Sequence, residues 1–500
     1  MSTTQTLAAF ASEIAGIPDD IVPEARRLIL DTIGCALGGW TTLKGRLAVE
    51  LAADLGGAPE ASILGGGRRV SADHASFANG ELANALDADA GFLNVAHIVP
   101  IIVPAVLAVG EAVGASGRQV LDAAIVGLEI AGRLALAMTP MREGYDGTRT
   151  RYVVGPVCGY GYGAIGAAAG AGRLRGLDAE RMAHAFGLAA YYAPVPSVLQ
   201  WLRATPFSMV KYAPMGWTAQ AGATAALLAA KGYTADTSVL DSREGFAQYW
   251  GSDRFEPEYL LRGLGSDWDS IRWLNYKSEP LCNLYRPHVW LLSALRRDER
   301  LSAGDIEEVI LRMHAPAGAD RPYAGEPPTT PEGAHMSAEF GVALALTGVP
   351  RGPRWADLRL LDDPAFLGIM RKVRIEGNPQ TTEITYRSWT GPSIAEVLTR
   401  APAEVEVRAR GRTFRRSTEY SYGDMWAPRE MYYATPDLID KFMEMTRPLL
   451  PEDRRNEVVH LVLNDFDRLP DLEPLLRLLR GAGAPSRSGA NPQREGASHA

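Results

Sequence analysis

Over most of the chain the apolar positions recur every three or four residues, the period of a helix with one buried face. Residues 19–39, DDIVPEARRLILDTIGCALGG, carry the full pattern: acidic residues and a proline at the start, apolar residues at helical spacing, glycines at the end. The same reading predicts helices over 71–86, 103–113, 117–138, 178–192 and 216–231. GAIGAAAGAGRL (163–174) and TAQAGATAALLAA (218–230) are so rich in Ala and Gly that their backbones are expected to lie close against neighbouring helices. The opening MSTTQTLAAFASEIAG reads as an amphipathic helix, since it has no basic start and is broken by Ser12 and Glu13, unlike a secretion signal.

Near residue 268 the period changes. IEEVILRMH (306–314) and RKVRIEG (371–377) alternate like strands, and 403–423 reads as two strands meeting at Arg410-Gly411-Arg412. Helical stretches lie near 287–298, 335–347 and 391–400, and the helical pattern returns at 435–450 and 451–469. The fold class expected is mainly α. The strands mark an α+β insertion into the helical pattern. The tail, 481–500, lacks large apolar residues and is expected to be disordered.

Composition narrows the function. Of 500 residues, 46% are apolar and 22% charged, an ordinary folded mixture, and the net charge of −8 argues against nucleic acid or an anionic membrane as partner. The longest apolar run is broken by two prolines and a glutamate, so no membrane span is expected. Cys35, Cys158 and Cys282 are widely spaced and show no metal-ligand spacing, which points to a reducing cytoplasm and to no structural zinc. Phosphate-loop, HExxH, EF-hand and GxSxG patterns are absent. The groups able to move protons are Asp87, Asp89, His97, Lys211, Lys277, Cys282, His288 and Tyr323, and each alone is more readily a cap, a packed side chain or a solvated charge. Only six residues are lysine (44, 211, 231, 277, 372, 441) and the other cations are arginine, which makes each lysine a candidate for a specific role.

As a set these residues resemble something. FANGELANALDADAGFLNVAHIVP, MVKYAPMGWTAQAGATAALLAAKGYTAD and YKSEPLCNLYRPH are similar to three successive motifs of the MmgE/PrpD family, and the likeness continues through MSAEFGVALAL and DDPAFLGIMRKVRI to about residue 475. The resemblance implies a large helical domain built from both ends of the chain, 1–268 and 411–480, with a smaller α+β lid domain inserted at 269–410, a homodimer and cofactor-free acid–base chemistry on polycarboxylates, as in methylcitrate dehydratases and cis-aconitate decarboxylases. It assigns catalytic roles to Asp87, His97, Lys211 and Lys277, with His97 as proton carrier at the mouth of a cleft. Tyr323 matches a lid tyrosine less closely, and Cys282 stands where the decarboxylase-like members have histidine.

The chain also departs from the motif. Asp89-Ala90-Gly91-Phe92 replaces DDTH, Val157 stands where the family has a second histidine, Val99 replaces a serine, and the family's arginine and histidine after the first lysine are lost within KYAPMGW. Asp89, Phe92, Val157, Tyr160, Tyr162, Trp217, Cys282 and Tyr323 are therefore expected to line a substrate pocket that is more apolar than the family's, since buried carboxylates without partners are costly. The expectation is a lyase or isomerase, with cyclisation included, moving a proton next to a carbonyl or carboxyl group of an atypical acid in secondary metabolism. A conventional dehydratase or decarboxylase, with Cys158, Tyr160 or Tyr162 replacing the lost histidine, and an inactive ligand-binding paralogue are the alternatives.

Overall fold

The computed structural model describes residues 1–93, 96–138, 141–145, 150–154, 160–195, 200–201, 204–210, 214–250, 255–313, 326–382, 384, 400 and 402–482. Val157, Lys211 and Tyr323 lie outside the described residues, as do Cys158, residues 391–399 of the helix expected over 391–400 and residues 483–500 of the tail expected over 481–500.

The fold is mainly α. Helix α1 (Thr3–Glu13) starts on a reciprocal cap in which Ser2 and Gln5 each bond the other's backbone. It is followed by α2 (Val22–Gly39), α3 (Leu43–Leu55), α4 (Ala72–Asn84), α5 (Val99–Val113), α6 (Gly117–Met138), α7 (Gly163–Leu174), α8 (Ala179–Tyr192) and α9 (Met215–Ala230). The expected close approach of small-residue helices is present: a Cβ on Gly166 of α7 would meet the Gly127 carbonyl of α6 at 2.6 Å, and one on Gly80 of α4 would meet Gly216 of α9 at 2.9 Å. Helix α5 begins four residues earlier than its pattern suggests, because Pro100 is tolerated in the first turn, where no backbone donor is needed.

The smaller unit contains α10 (Arg286–Asp298), α11 (Ala338–Thr347) and a four-stranded sheet. The helix expected over 335–347 is broken, since Ser337 caps α11 by accepting from the Phe340 N–H at 3.1 Å. Two two-residue strands, β1 (Gly91–Phe92) and β2 (Leu274–Asn275), pair antiparallel outside that sheet. The sheet itself consists of β3 (Ile306–Met313), β4 (Val373–Gly377), β5 (Ala403–Ala409) and β6 (Arg412–Thr418), in the order β6-β5-β3-β4, with β3 and β4 parallel. The chain continues through α12 (Thr435–Thr446), α13 (Glu452–His460) and α14 (Glu473–Leu479).

Two hydrophobic cores explain this order. The larger draws on residues from Leu7 to Tyr276 and again from Tyr433 to Ala482, so both ends of the chain fill it. The smaller runs from Leu281 to Phe414. It passes the expected break at 410 because β5 and β6 form one hairpin, turned at Arg410 and Gly411, both with positive φ. None of the described helices is long and apolar enough to cross a membrane.

Candidate functional site

The site begins where α4 stops. The Asp87 N–H donates to the Asn84 carbonyl at 3.1 Å, and Asp87 itself has φ of 54°, a left-handed conformation that is uncommon for a residue with a side chain. This turn brings the chain back so that Gly91 and Phe92 can pair with Asn275 and Leu274. A side chain at Gly91 would meet Asn275 Oδ1 at 2.7 Å, so the hydroxyl-bearing residue of the family motif has no room here. Phe92 also exchanges backbone bonds with Ala96, at 2.8 and 3.1 Å, and this closure delivers His97 beside Asp89.

The pairing of β1 with β2 also places Lys277, two residues beyond β2, next to Asp87. Both side chains are fully buried. The Lys277 ammonium forms an ion pair with Asp87 Oδ1 and donates to the Asp87 carbonyl at 3.1 Å. Across the turn, His97 Nδ1 lies 2.6 Å from Asp89 Oδ2, while Asn84 Nδ2 donates to Asp89 Oδ1 at 2.9 Å. His97 Nε2 is 3.9 Å from Asp87 Oδ1. With a carboxylate on Nδ1, that nitrogen carries the proton, and Nε2 is the one able to accept or deliver another. A proton arriving at Nε2 makes an imidazolium that Asp89 already faces.

The structure thus brings together Asp87, Asp89, His97 and Lys277. Tyr160 joins them, its ring centroid 5.4 Å from that of His97, and Tyr162 packs edge-on against Tyr160 and Trp250. His97 is only 4% exposed. Its imidazole is enclosed between Asp89 and the Tyr160 ring, not standing at an open mouth as the sequence suggests. Phe92 is fully buried in the larger core. Cys282 is buried in the smaller core, its N–H donating to the His335 carbonyl at 3.0 Å. Trp217 is half exposed on α9 and packs on Phe77. His288 is buried on α10 with Nε2 3.0 Å from the Arg312 carbonyl, and burial pushes it down to about 4, so it stays neutral at physiological pH.

Asp87, Asp89 and His97 each offer one ligand atom within 4.8 Å of the others, a spacing that could hold a metal ion. The ammonium on Asp87 and the imidazole on Asp89 already engage those carboxylates, so the arrangement is better suited to handling a proton. Sequence reasoning missed Asn84, which fixes Asp89, as well as Asn275, Asp31 and Lys441. Only Lys441 carried a signal, as one of the six lysines.

The MmgE/PrpD N-terminal domain matches residues 5–258 and the MmgE/PrpD C-terminal domain matches residues 280–465. A cis-aconitate decarboxylase of Aspergillus terreus is 27% identical over 502 residues, covering 95% of each chain, and the cis-aconitate decarboxylase of Homo sapiens is 24% identical over 506 residues, covering 97% of this chain and 96% of its own. A cis-aconitate decarboxylase-like protein of Aspergillus oryzae is 26% identical over 371 residues, covering 69% of this chain and 74% of its own. With both family domains matched in order along the chain, this protein belongs to the MmgE/PrpD family.

Proposed function

We propose that the protein is a lyase or isomerase that moves a proton at the carbon next to a carbonyl or carboxyl group, with His97 Nε2 as the proton carrier and no cofactor. The observation that carries this reading is the pair of carboxylates flanking one imidazole, Asp89 on Nδ1 at 2.6 Å and Asp87 3.9 Å from Nε2, with the Lys277 ammonium on Asp87. Asp89 orients the ring and stabilises the imidazolium, and Lys277 supplies a fixed positive charge for an enolate-like oxygen. In a decarboxylation the carbon–carboxyl bond breaks, carbon dioxide leaves, and the electron pair remaining on carbon takes its proton from His97.

The substrate proposed is an acid with fewer carboxylates than the family's usual ones, consistent with secondary metabolism. Gly91, Phe92 and Val99 offer no polar side chain where the family motif has a hydroxyl, an imidazole and a second hydroxyl. The names of the relatives favour a second reading, decarboxylation of cis-aconitate itself. Lys211 as a catalytic residue, and Val157, Tyr323 and Cys282 as pocket residues, belong to the proposal on motif position alone, and Tyr162 through its contact with Tyr160. A cytoplasmic homodimer completes the proposal, and light scattering should return twice the chain mass.

A proton NMR time course in D₂O decides between the readings, with cis-aconitate, 2-methylcitrate and a panel of monocarboxylic and dicarboxylic enoic acids. Turnover of a less charged acid, abolished in His97→Gln with the circular dichroism spectrum unchanged, is the expected result. Consumption of cis-aconitate that depends on His97 would establish the second reading. Turnover that survives His97→Gln would remove His97 from the mechanism.

A further inference from the structure

Behind the Asp87 turn lies a second buried ion pair that plays no part in the chemistry described above. Asp31 of α2 and Lys441 of α12 lie 410 positions apart in sequence, both are buried, and Lys441 Nζ is 2.5 Å from Asp31 Oδ1. The helices come close because Gly34 leaves room for the Phe442 ring, which a Cβ there would meet at 3.0 Å. Cys35, Leu86, Ala88 and Met445, from the same helices and the turn, form a small buried apolar cluster. Burial pulls the Lys441 ammonium down and pushes the Asp31 carboxyl up, and the attraction between the two opposes both effects, leaving each above its ordinary value.

The remaining hydrogen bonds of this pair go to the backbone of the turn. Lys441 Nζ donates to the Ala88 carbonyl, and Asp31 Oδ2 accepts from the Ala90 N–H at 3.0 Å. Four consecutive residues are thereby each held by a different part of the chain. Asp87 is held by Lys277, Ala88 by Lys441, Asp89 by Asn84 and His97, and Ala90 by Asp31. A buried ion pair is a poor source of stability compared with apolar side chains of the same size. One that clamps both peptide groups flanking Asp89, beside a residue in left-handed conformation, has a use that apolar side chains could not supply.

We propose that Asp31 and Lys441 are positioning residues, a clamp from the two ends of the chain that sets the Asp87–Ala90 turn so that Asp89 meets His97 and Asp87 meets Lys277. The inference rests on the reading that Asp89 and His97 act together, and its test is built to fail separately from that reading.

The charge-balanced variant Asp31→Leu/Lys441→Met removes both arms of the clamp without leaving a lone buried charge. The first readout needs no substrate: the far-downfield proton NMR signal of the His97 Nδ1–H held by Asp89, assigned by its loss in His97→Gln. It is expected to move upfield or vanish in the double variant while thermal unfolding stays cooperative. The second readout is kinetic, a fall in kcat approaching about 100-fold with KM little changed, as expected when reacting groups are misplaced by about 1 Å. Lys441→Arg, which keeps the charge but cannot set one ammonium on both Asp31 and the Ala88 carbonyl, is read in the same way if the double variant does not fold. A signal that stays in place, or a kcat that does not fall, would overturn the clamp. Absence of the signal from the wild-type protein would overturn its premise. If no acid is turned over, the activity reading fails, and the NMR signal alone decides the clamp.

Discussion

Lys277 and Asp87 show what individual residues spend to build the site. Both are buried completely, and their mutual charge is the compensation for lost hydration. Lys277→Met should therefore cost about 3–5 kcal/mol in urea unfolding, because it strands a carboxylate in the interior. Asp87→Asn/Lys277→Met should recover part of that loss, and equal destabilisation of the single and double variants would mean the two charges are not coupled. His288 makes a different kind of contribution. Its pKa falls from 6.5 to about 4 because burial disfavours the imidazolium. Between those values the unfolded chain binds a proton that the folded protein does not, so the stability present above pH 6.5 is lost progressively as the pH falls toward 4. The slope from this residue approaches about 1.4 kcal/mol per pH unit. His288→Gln should flatten a plot of melting temperature against pH in that window, and an unchanged plot would show that His288 charges freely in the folded state.

Elements were legible where their period pointed inward. Helices α6, α7 and α8 appear almost at the bounds their apolar spacing predicts, because the same residues that set the period fill the core. Helix α3 was missed for the opposite reason. Leu43, Leu47, Leu51 and Leu55 are 40–52% exposed, whereas Lys44, Gly45, Ala48 and Ala52 are buried, so its apolar pattern faces outward and its inner face looks unremarkable in sequence. Strands β1 and β2 span two residues each, too few to show any alternation, yet they bring Asp87 and Lys277 together. The motif residues were therefore readable, but not the reason they meet. A direct test lies at Gly91, where any side chain runs into Asn275 Oδ1 at 2.7 Å. Gly91→Ala should separate β1 from β2 and lower turnover, and Asn275→Gly in the same chain should restore it. Loss of activity without rescue would place the requirement for glycine elsewhere.

At the scale of the whole molecule, the site lies where one core gives way to the other. Tyr276 belongs to the larger core and Leu281 to the smaller, with Lys277 just beyond Tyr276 on the connecting segment. The resemblance implied a helical domain that uses both ends of the chain, and the return of helical periodicity near 435 is visible in the sequence, but nothing in either segment pairs Asp31 with Lys441. That contact makes the C-terminal helices part of the site's frame. Leu438, Phe442 and Met445 of α12 are buried, and Phe442 fills the space that Gly34 leaves on α2. A chain ending at residue 430 would lose those side chains, expose the apolar face of α2 that they cover and leave Asp31 without its cation. It should lose cooperative thermal unfolding and bind a hydrophobic dye, as expected of a compact state without fixed packing. If that truncated chain instead melted cooperatively at the wild-type temperature, the C-terminal helices would be an appendage, and the larger core would be complete without them.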